Sequence, residues 1–456
     1  MAGIDLAQVG TKLDPQDAAD NRNYVADLLG RRQITFPGAQ PVSFARSHLD
    51  ELKQQDYYLC EKTDGIRCLM YLSSYSDNGV LHEAQFLIDR KNDYYFIPNN
   101  ELHIPAPPQI PGGGDFDLAS FHTGTLLDGE LVLQTRGPQG TQRLTYLMFD
   151  VLAIDGQSVM NRTFDKRMAK LQSLIYRPYK KFAQAYPTDA AHQPFDIQMK
   201  DMELPYAAEM MFRDKIPNLP HGNDGLIFTC VGTQYTPGTD EKILKWKPPH
   251  ENTIDFRIEI KSFPKITDEE TGEKYEDWDD IPEIELQINH GDKEGYHYYA
   301  ILTLTPQEWS ALKGLNQMID HRIIECFREP TTGQWRPKCD LVNGVATPRF
   351  RDDKTESNHI STVRSVEISI RDAVSEQDLI THAGEIKVAY KARLAKRDEA
   401  AAAAAAAHEK KRREAAVRAQ VASQKTQVAP PQVPQVQASD VMDEDEDEDD
   451  GPRYVD

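Results

Sequence analysis

The run EKTDGIR at 61–67 sets Lys62, Asp64, Gly65 and Arg67 in the spacing KxDGxR, between two segments that alternate apolar and polar side chains. A free lysine amine can attack phosphorus, and the phosphoramidate it forms is stable yet cleavable, which suits a group transfer in two steps. At neutral pH an ordinary lysine is protonated, so this chemistry calls for neighbouring cations that lower its pKa. In KWK at 245–247 two such cations lie two residues apart. On a strand Lys245 and Lys247 then share one face, with Trp246 on the other, and a pair of ammonium groups suits a phosphate. Charge also sits at strand ends in LDGELV (127–132), YLMFDVLAIDG (146–156) and GNDGLIF (222–228). Each stretch alone has a plain structural reading, for KTDGIR a charged hairpin turn in which DG is a favoured pair. The set in this order points to a phosphate-binding cleft.

The elements that must position these groups read as an α+β fold. Residues 15–30 and 44–55 read as helices, and short alternating strands punctuated by Gly and Pro run from Tyr57 to about Lys247. PAPPQIPGGG at 105–114 reads as a surface loop. KWKPPHEN at 245–252 reads as a hinge, because consecutive prolines end a strand. The strands TIDFRIEIKSF, EIELQIN and YHYYAILTLT then alternate as a small barrel would, with a helix expected at 306–319 and another at 374–399. The expected organisation is a catalytic domain at 1–250, a barrel domain with a terminal helix at 251–395, an alanine-rich basic helix at 396–420 and a disordered acidic tail at 421–456. Eight alanines at 400–407 favour helix, whereas DEDEDEDD cannot bury enough apolar area to fold.

Composition sets limits. The 456 residues include 39% apolar and 9% aromatic side chains, enough for two ordinary cores. Five cysteines without a CxxC pair give no disulfide framework and no zinc site, so a reducing compartment is expected. No apolar run approaches the ~20 residues needed to span a bilayer, and the first residues lack the pattern of a signal peptide. The net charge is −21, of which −9 lies in residues 440–456. The remaining −12 argues against broad binding to polyanions and for cations confined to a cleft.

In EKTDGIR, FPGAQPVSF (36–44) and FRDDKTESNH (350–359) the chain resembles the covalent nucleotidyltransferase superfamily of mRNA capping enzymes and ATP-dependent polynucleotide ligases, most closely the fungal type of mRNA guanylyltransferase. The resemblance covers about residues 35–395 and implies a nucleotidyltransferase domain followed by an OB-fold barrel. It further implies attack of Lys62 on the α-phosphorus of GTP with magnesium or manganese, release of pyrophosphate, and transfer of GMP to a 5′-diphosphate RNA end. By the same resemblance Arg67 and Glu130 hold the ribose, Phe149 stacks on the base, Lys200 contacts guanine, Asp224 assists the metal or phosphate, and Lys245 and Lys247 grip the α-phosphate. Arg351, Asp353 and Lys354 form the RxDK motif of a barrel that closes over the cleft as a lid.

The runner-up is a polynucleotide ligase charged with AMP, and from another class an inactive scaffold that binds RNA or a polymerase tail. A scaffold would need none of Lys62, Glu130, Lys245 and Lys247. Nothing in the chain resembles the HCxxxxxR loop of a cysteine-type triphosphatase. A separate RNA 5′-triphosphatase subunit is therefore expected as partner. The resemblance adds the phosphorylated tail of RNA polymerase as a second partner, with no membrane association and a nuclear location.

Overall fold

The computed structural model describes residues 4–98, 101–107, 120–137, 139–342 and 344–426, with side chains to 416. The acidic tail and the PQIPGGG part of the Pro/Gly-rich loop lie outside the described residues.

Two sheets build the first domain. The larger places the long strands Ile66–Asp77, Thr125–Arg136 and Thr141–Ile154 side by side and antiparallel. Val80–Ile88 and Tyr94–Ile97 extend it beyond the first of these, and Asp196–Met199 adds in parallel beyond the last. The smaller runs in the order Ala39–Ser43, Gly238–Trp246, Asn223–Cys230, Tyr57–Thr63. Tyr57–Thr63 and Ile66–Asp77 thus belong to different sheets, which corrects the hairpin reading of KTDGIR: the DG pair carries the chain from one sheet to the other.

Residues 164–192, expected among the strands, are helical instead. Phe164, Met168, Leu171, Ile175, Tyr179 and Phe182, three or four residues apart, pack on the core of the larger sheet as one stripe. Beneath the smaller sheet Phe44, Leu49, Leu52, Tyr57, Leu59, Leu226, Phe228, Leu244 and Trp246 form a second core. Leu49 and Leu52 come from the helix Ser47–Gln54. Helix Pro15–Leu28 is capped by Asp14, whose carboxylate accepts from the backbone of Gln16 and Asp17, with proline at its first position.

Beyond the hinge, Thr253–Ser262, Glu283–Asn289 and Tyr296–Ile301 pair in succession, and Ile323–Arg328 and Trp335–Pro337 add on the other side of the first. A parallel bridge from Leu302 to Trp335 joins the two edges. This strand order, closed by that bridge and with a helix between the third and fourth strands, has the topology of the five-stranded OB barrel expected. That helix, Pro306–Gly314, starts on TPQE with a reciprocal cap between Thr305 and Glu308.

Helix Ile360–Arg371 packs on the barrel through Val363 and Val366. The chain then returns to the first domain. Val374, Leu379 and Ile386 enter the core under the smaller sheet, and Trp246 Nε1 donates to the Val374 carbonyl at 2.8 Å. The barrel domain expected to reach 395 therefore ends near 371, and the residues from Val374 to Ile386 complete the catalytic domain. The helix expected at 374–399 and the alanine-rich helix are one element, Glu376–Thr426, so the expected onset of disorder at 421 falls within a helix. No helix among the described residues is long and apolar enough to cross a membrane.

Candidate active site

The inner faces of the two sheets enclose a cleft. On Tyr57–Thr63, Tyr57 and Leu59 point into the core, so Cys60 and Lys62 point the other way, into the cleft. Gly65 then passes so close to the neighbouring strand that a Cβ would stand 2.5 Å from the Leu131 carbonyl oxygen and 2.7 Å from Val132 Cγ1. Only glycine fits there. Two residues later Arg67 enters the cleft from the opposite sheet, directly across from Glu130 in the strand register.

Lys62 Nζ donates to Asp224 Oδ1 at 2.6 Å, and Lys247 Nζ meets Asp224 Oδ2 at 2.8 Å. Cations were expected beside Lys62, but its hydrogen-bond partner is a carboxylate. Burial works to raise the Asp224 pKa, and the two lysines outweigh it and hold the carboxyl below its usual range. Asp224 is thus a firm counter-ion and a poor proton acceptor. Gly225 beside it has φ +145°, and a Cβ there would overlap the Trp246 carbonyl. Lys245 Nζ has no hydrogen-bond or ion-pair partner among the described residues. Burial, followed by Lys247, Lys62 and Arg90, lowers its pKa. A cation held in this way is suited to a phosphate.

Deeper in, Lys200 is 6% exposed, so it is no surface lysine. It donates to Thr63 Oγ1 at 2.8 Å and to the Glu61 carbonyl at 3.2 Å, with Glu130 Oε2 at 3.7 Å. Phe149 is half-buried and lines the cleft between two cations, the Arg67 guanidinium 5.6 Å and Lys200 Nζ 5.5 Å from its ring centroid. Its buried neighbours Met148 and Val151 fill the core, so Phe149 is not a core aromatic.

Arg67 is itself clamped. Its Nε and Nη2 donate to Asp128 at 3.0 and 2.7 Å, and Nη1 donates to the Ala39 carbonyl. Burial works against this cation, yet the Asp128 carboxylate more than restores it and raises the pKa. Tyr235 O–H donates to the same carboxylate at 2.6 Å and accepts from Ala39 N–H at 2.9 Å, tying the FPGAQPVSF arm to the cleft floor.

Lys62, Arg67, Glu130, Phe149 and Lys200 therefore line one cleft, with Asp224, Lys245 and Lys247 at its lysine-bearing end. Arg351, Asp353 and Lys354 do not line it. Arg351 Nε and Nη2 pair with Asp353 at 2.9 and 2.8 Å, its Nη1 reaches Asp255 at 3.3 Å, and Lys354 also pairs with Asp255. Asp255, on the first barrel strand, holds the RxDK loop from below. Sequence reasoning missed Asp255, Asp128, Tyr235 and the exposed Arg90 at the cleft wall. Asp128 was within reach, since it stands in the charged stretch LDGELV.

A cleft with a strand-borne lysine, a half-buried aromatic ring between two cations and a further bank of lysines is the arrangement of a nucleotidyl-transferring enzyme. The family described as mRNA capping enzyme, catalytic domain, matches residues 5–249, and its C-terminal domain matches 251–380. The chain belongs to the mRNA capping enzyme family. The mRNA-capping enzyme subunit alpha of Neurospora crassa is 45% identical over 408 residues, 87% of this chain and 96% of its own. Those of Schizosaccharomyces pombe and Saccharomyces cerevisiae are 39% and 37% identical, over 82% and 79% of this chain and 86% and 81% of theirs.

Proposed function

We propose that the chain is the guanylyltransferase subunit of an mRNA capping apparatus. The unprotonated Lys62 amine forms a bond to the α-phosphorus of GTP as the bond to pyrophosphate breaks, and the proton shed by the nitrogen passes to solvent or to the departing pyrophosphate. In the second step a β-phosphate oxygen of diphosphate-ended RNA bonds to the same phosphorus, and the nitrogen leaves as an amine that takes up a proton. The single observation that carries this reading is the position of Lys62, at the cleft face and joined through Asp224 to Lys247 of the KWK run, in a member of this family.

Each residue serves the transfer through its place. Phe149 offers a stacking face, and Lys200 on the cleft floor offers a donor that suits the O6 acceptor of guanine and repels the N6 amino group of adenine. Arg67 and Glu130 stand opposite each other across two paired strands and take the ribose in this reading. Lys245 and Lys247 meet the α-phosphate charge as it shifts in the transition state. Arg351, Asp353 and Lys354 act when the barrel closes.

Among the described residues no group of three His, Cys, Asp or Glu side chains could hold a metal by itself. Magnesium is commonly held by one or two carboxylates plus substrate phosphates and water, and an ionised, partly exposed Asp224 fits that role. Such an ion, when bound, would neutralise phosphate charge. Expected partners are a separate RNA 5′-triphosphatase and the phosphorylated polymerase tail, and the expected location is the nucleus.

The test is incubation with α-labelled GTP or ATP, then a denaturing gel. GTP should label the wild type covalently. Lys62→Ala should not be labelled, nor should Lys62→Arg, because guanidinium stays protonated. A normal adduct in either variant would overturn the assignment of Lys62, and preference for ATP would favour the ligase reading.

A further inference from the structure

A second cavity opens on the other side of the KWK lysines, between the end of strand Gly238–Trp246 and the helix Ile360–Arg371. Its polar lining includes Lys245, Lys247, Asn252, Ser43 and Thr253 on one side and Thr362, Ser365 and Ser369 on the other. The three hydroxyls are spaced three and four residues apart, so they form one stripe along the helix, beside the stripe of Val363 and Val366 that holds it to the barrel. Ser365 and Ser369 each donate to a backbone carbonyl one turn back, at 3.1 and 3.2 Å. Their protons are committed, and what they offer the cavity is acceptor lone pairs. Glu251 on the rim is neutralised by Lys338.

Two lysines on one wall and a stripe of hydroxyl acceptors on the other fit a ligand that carries both anionic phosphate and hydroxyl donors. The cavity adjoins the reaction centre, since Asp224 joins Lys247 to Lys62 through contacts of 2.8 and 2.6 Å. We propose that this cavity seats the 5′ end of the acceptor RNA, with its diphosphate against Lys245 and Lys247 and the 2′-hydroxyls of its first riboses against Thr362, Ser365 and Ser369. This rests on the guanylyltransferase reading and adds to it the site of the second substrate. One wall belongs to the barrel and the other to the catalytic domain, so the seat has this form only while the RxDK loop stands away from the cleft. The acceptor would then be admitted after pyrophosphate has left and the lid has reopened.

The probe is a five-nucleotide RNA with a 5′-diphosphate and a 3′ dye, with the all-deoxy oligonucleotide of the same sequence beside it. The variant is Thr362→Val with Ser365→Ala and Ser369→Ala; alanine is the better helix former, and retained covalent charging by GTP reports an intact fold. Loss of three hydrogen bonds should weaken RNA binding to the uncharged protein, and raise the RNA KM for transfer from the charged enzyme, by roughly tenfold or more. Binding of the deoxy probe should change little. Unchanged RNA affinity and KM would overturn the proposal, as would an equal loss for both probes or a loss of GTP charging in step with transfer. If the wild type bound RNA, lost it in the variant and yet never charged with GTP, the seat would stand and the guanylyltransferase reading would fall.

Discussion

Lys200 and Lys245 put two different demands on a buried cation. Two of the three Lys200 N–H donors go to Thr63 and the Glu61 carbonyl, which fixes the ammonium in place and leaves one donor for a base edge. Lys200→Ala should weaken GTP binding by about 1–3 kcal/mol, the worth of a charge-assisted hydrogen bond, and narrow the preference for GTP over ATP. Parallel charging with both nucleotides checks this, and unchanged selectivity would remove Lys200 from base recognition. Lys245 has no such partner, and its pKa lies below the usual 10.5. The unfolded chain holds that proton more tightly, so stability rises with pH between the folded value and 10.5, and at neutral pH the charge works against the fold. Lys245→Met should therefore melt at the same or a higher temperature than the wild type, with a flatter pH dependence on approaching pH 10.5, while losing GTP charging. A clear drop in melting temperature at pH 7 would mean that Lys245 has a stabilising partner. The chemistry of Lys62 and Lys245 was legible because KxDGxR and KWK are local patterns, whereas Lys200 stands in no such pattern and was reached only through the family resemblance. Their partners were not legible: Asp224 lies 162 residues from Lys62, and register across a sheet leaves no mark in the sequence of either strand.

At the scale of elements, the RxDK loop is positioned by a carboxylate on the first barrel strand. Asp255 accepts from Arg351 and Lys354, and its backbone exchanges hydrogen bonds with Asn358 at 2.8 and 2.9 Å. Asp255→Asn keeps the shape and removes the charge, so the loop cations should lose their set orientation. GTP charging should fall by up to ~100-fold, the cost of small misplacements in a preorganised site. Transfer from already charged enzyme should be spared, because pyrophosphate has by then gone. Equal loss in both half-reactions would assign Asp255 to barrel stability alone. Barrel strands were readable from strict alternation, and the helix expected at 306–319 is present but shorter, Pro306–Gly314. The helices at 164–192 do carry a stripe of helical spacing from Phe164 to Phe182, but they lie among strands, and Pro178 and Pro187, which stand at helix starts, are also turn signals. The helix after 374 was expected as an element, but nothing local to it says which domain it packs on.

For the molecule as a whole, the important division lies within the helix Glu376–Thr426. Its first turns are structural: Leu379→Ala or Ile386→Ala should each cost about 2–5 kcal/mol, the usual range for emptying a buried site. The loss should appear as unfolding of the catalytic domain, measured by denaturant titration with GTP present and absent. Truncation at Glu399 removes no residue of that core and should leave GTP charging intact. Loss of charging in a folded truncation would give the alanine-rich segment a catalytic role.

The return of the chain also orders its synthesis. The strand that bears Lys62 is made early, but the core beneath it is closed by Val374, Leu379 and Ile386, which leave the ribosome only after every barrel strand has been made. Domains made in order from the N-terminus usually finish in that order; here the catalytic domain must wait for the one inserted into it. A nascent chain therefore has its lid before its cleft is fully built, and translation that stops short of residue 374 releases a lysine strand whose core is still open.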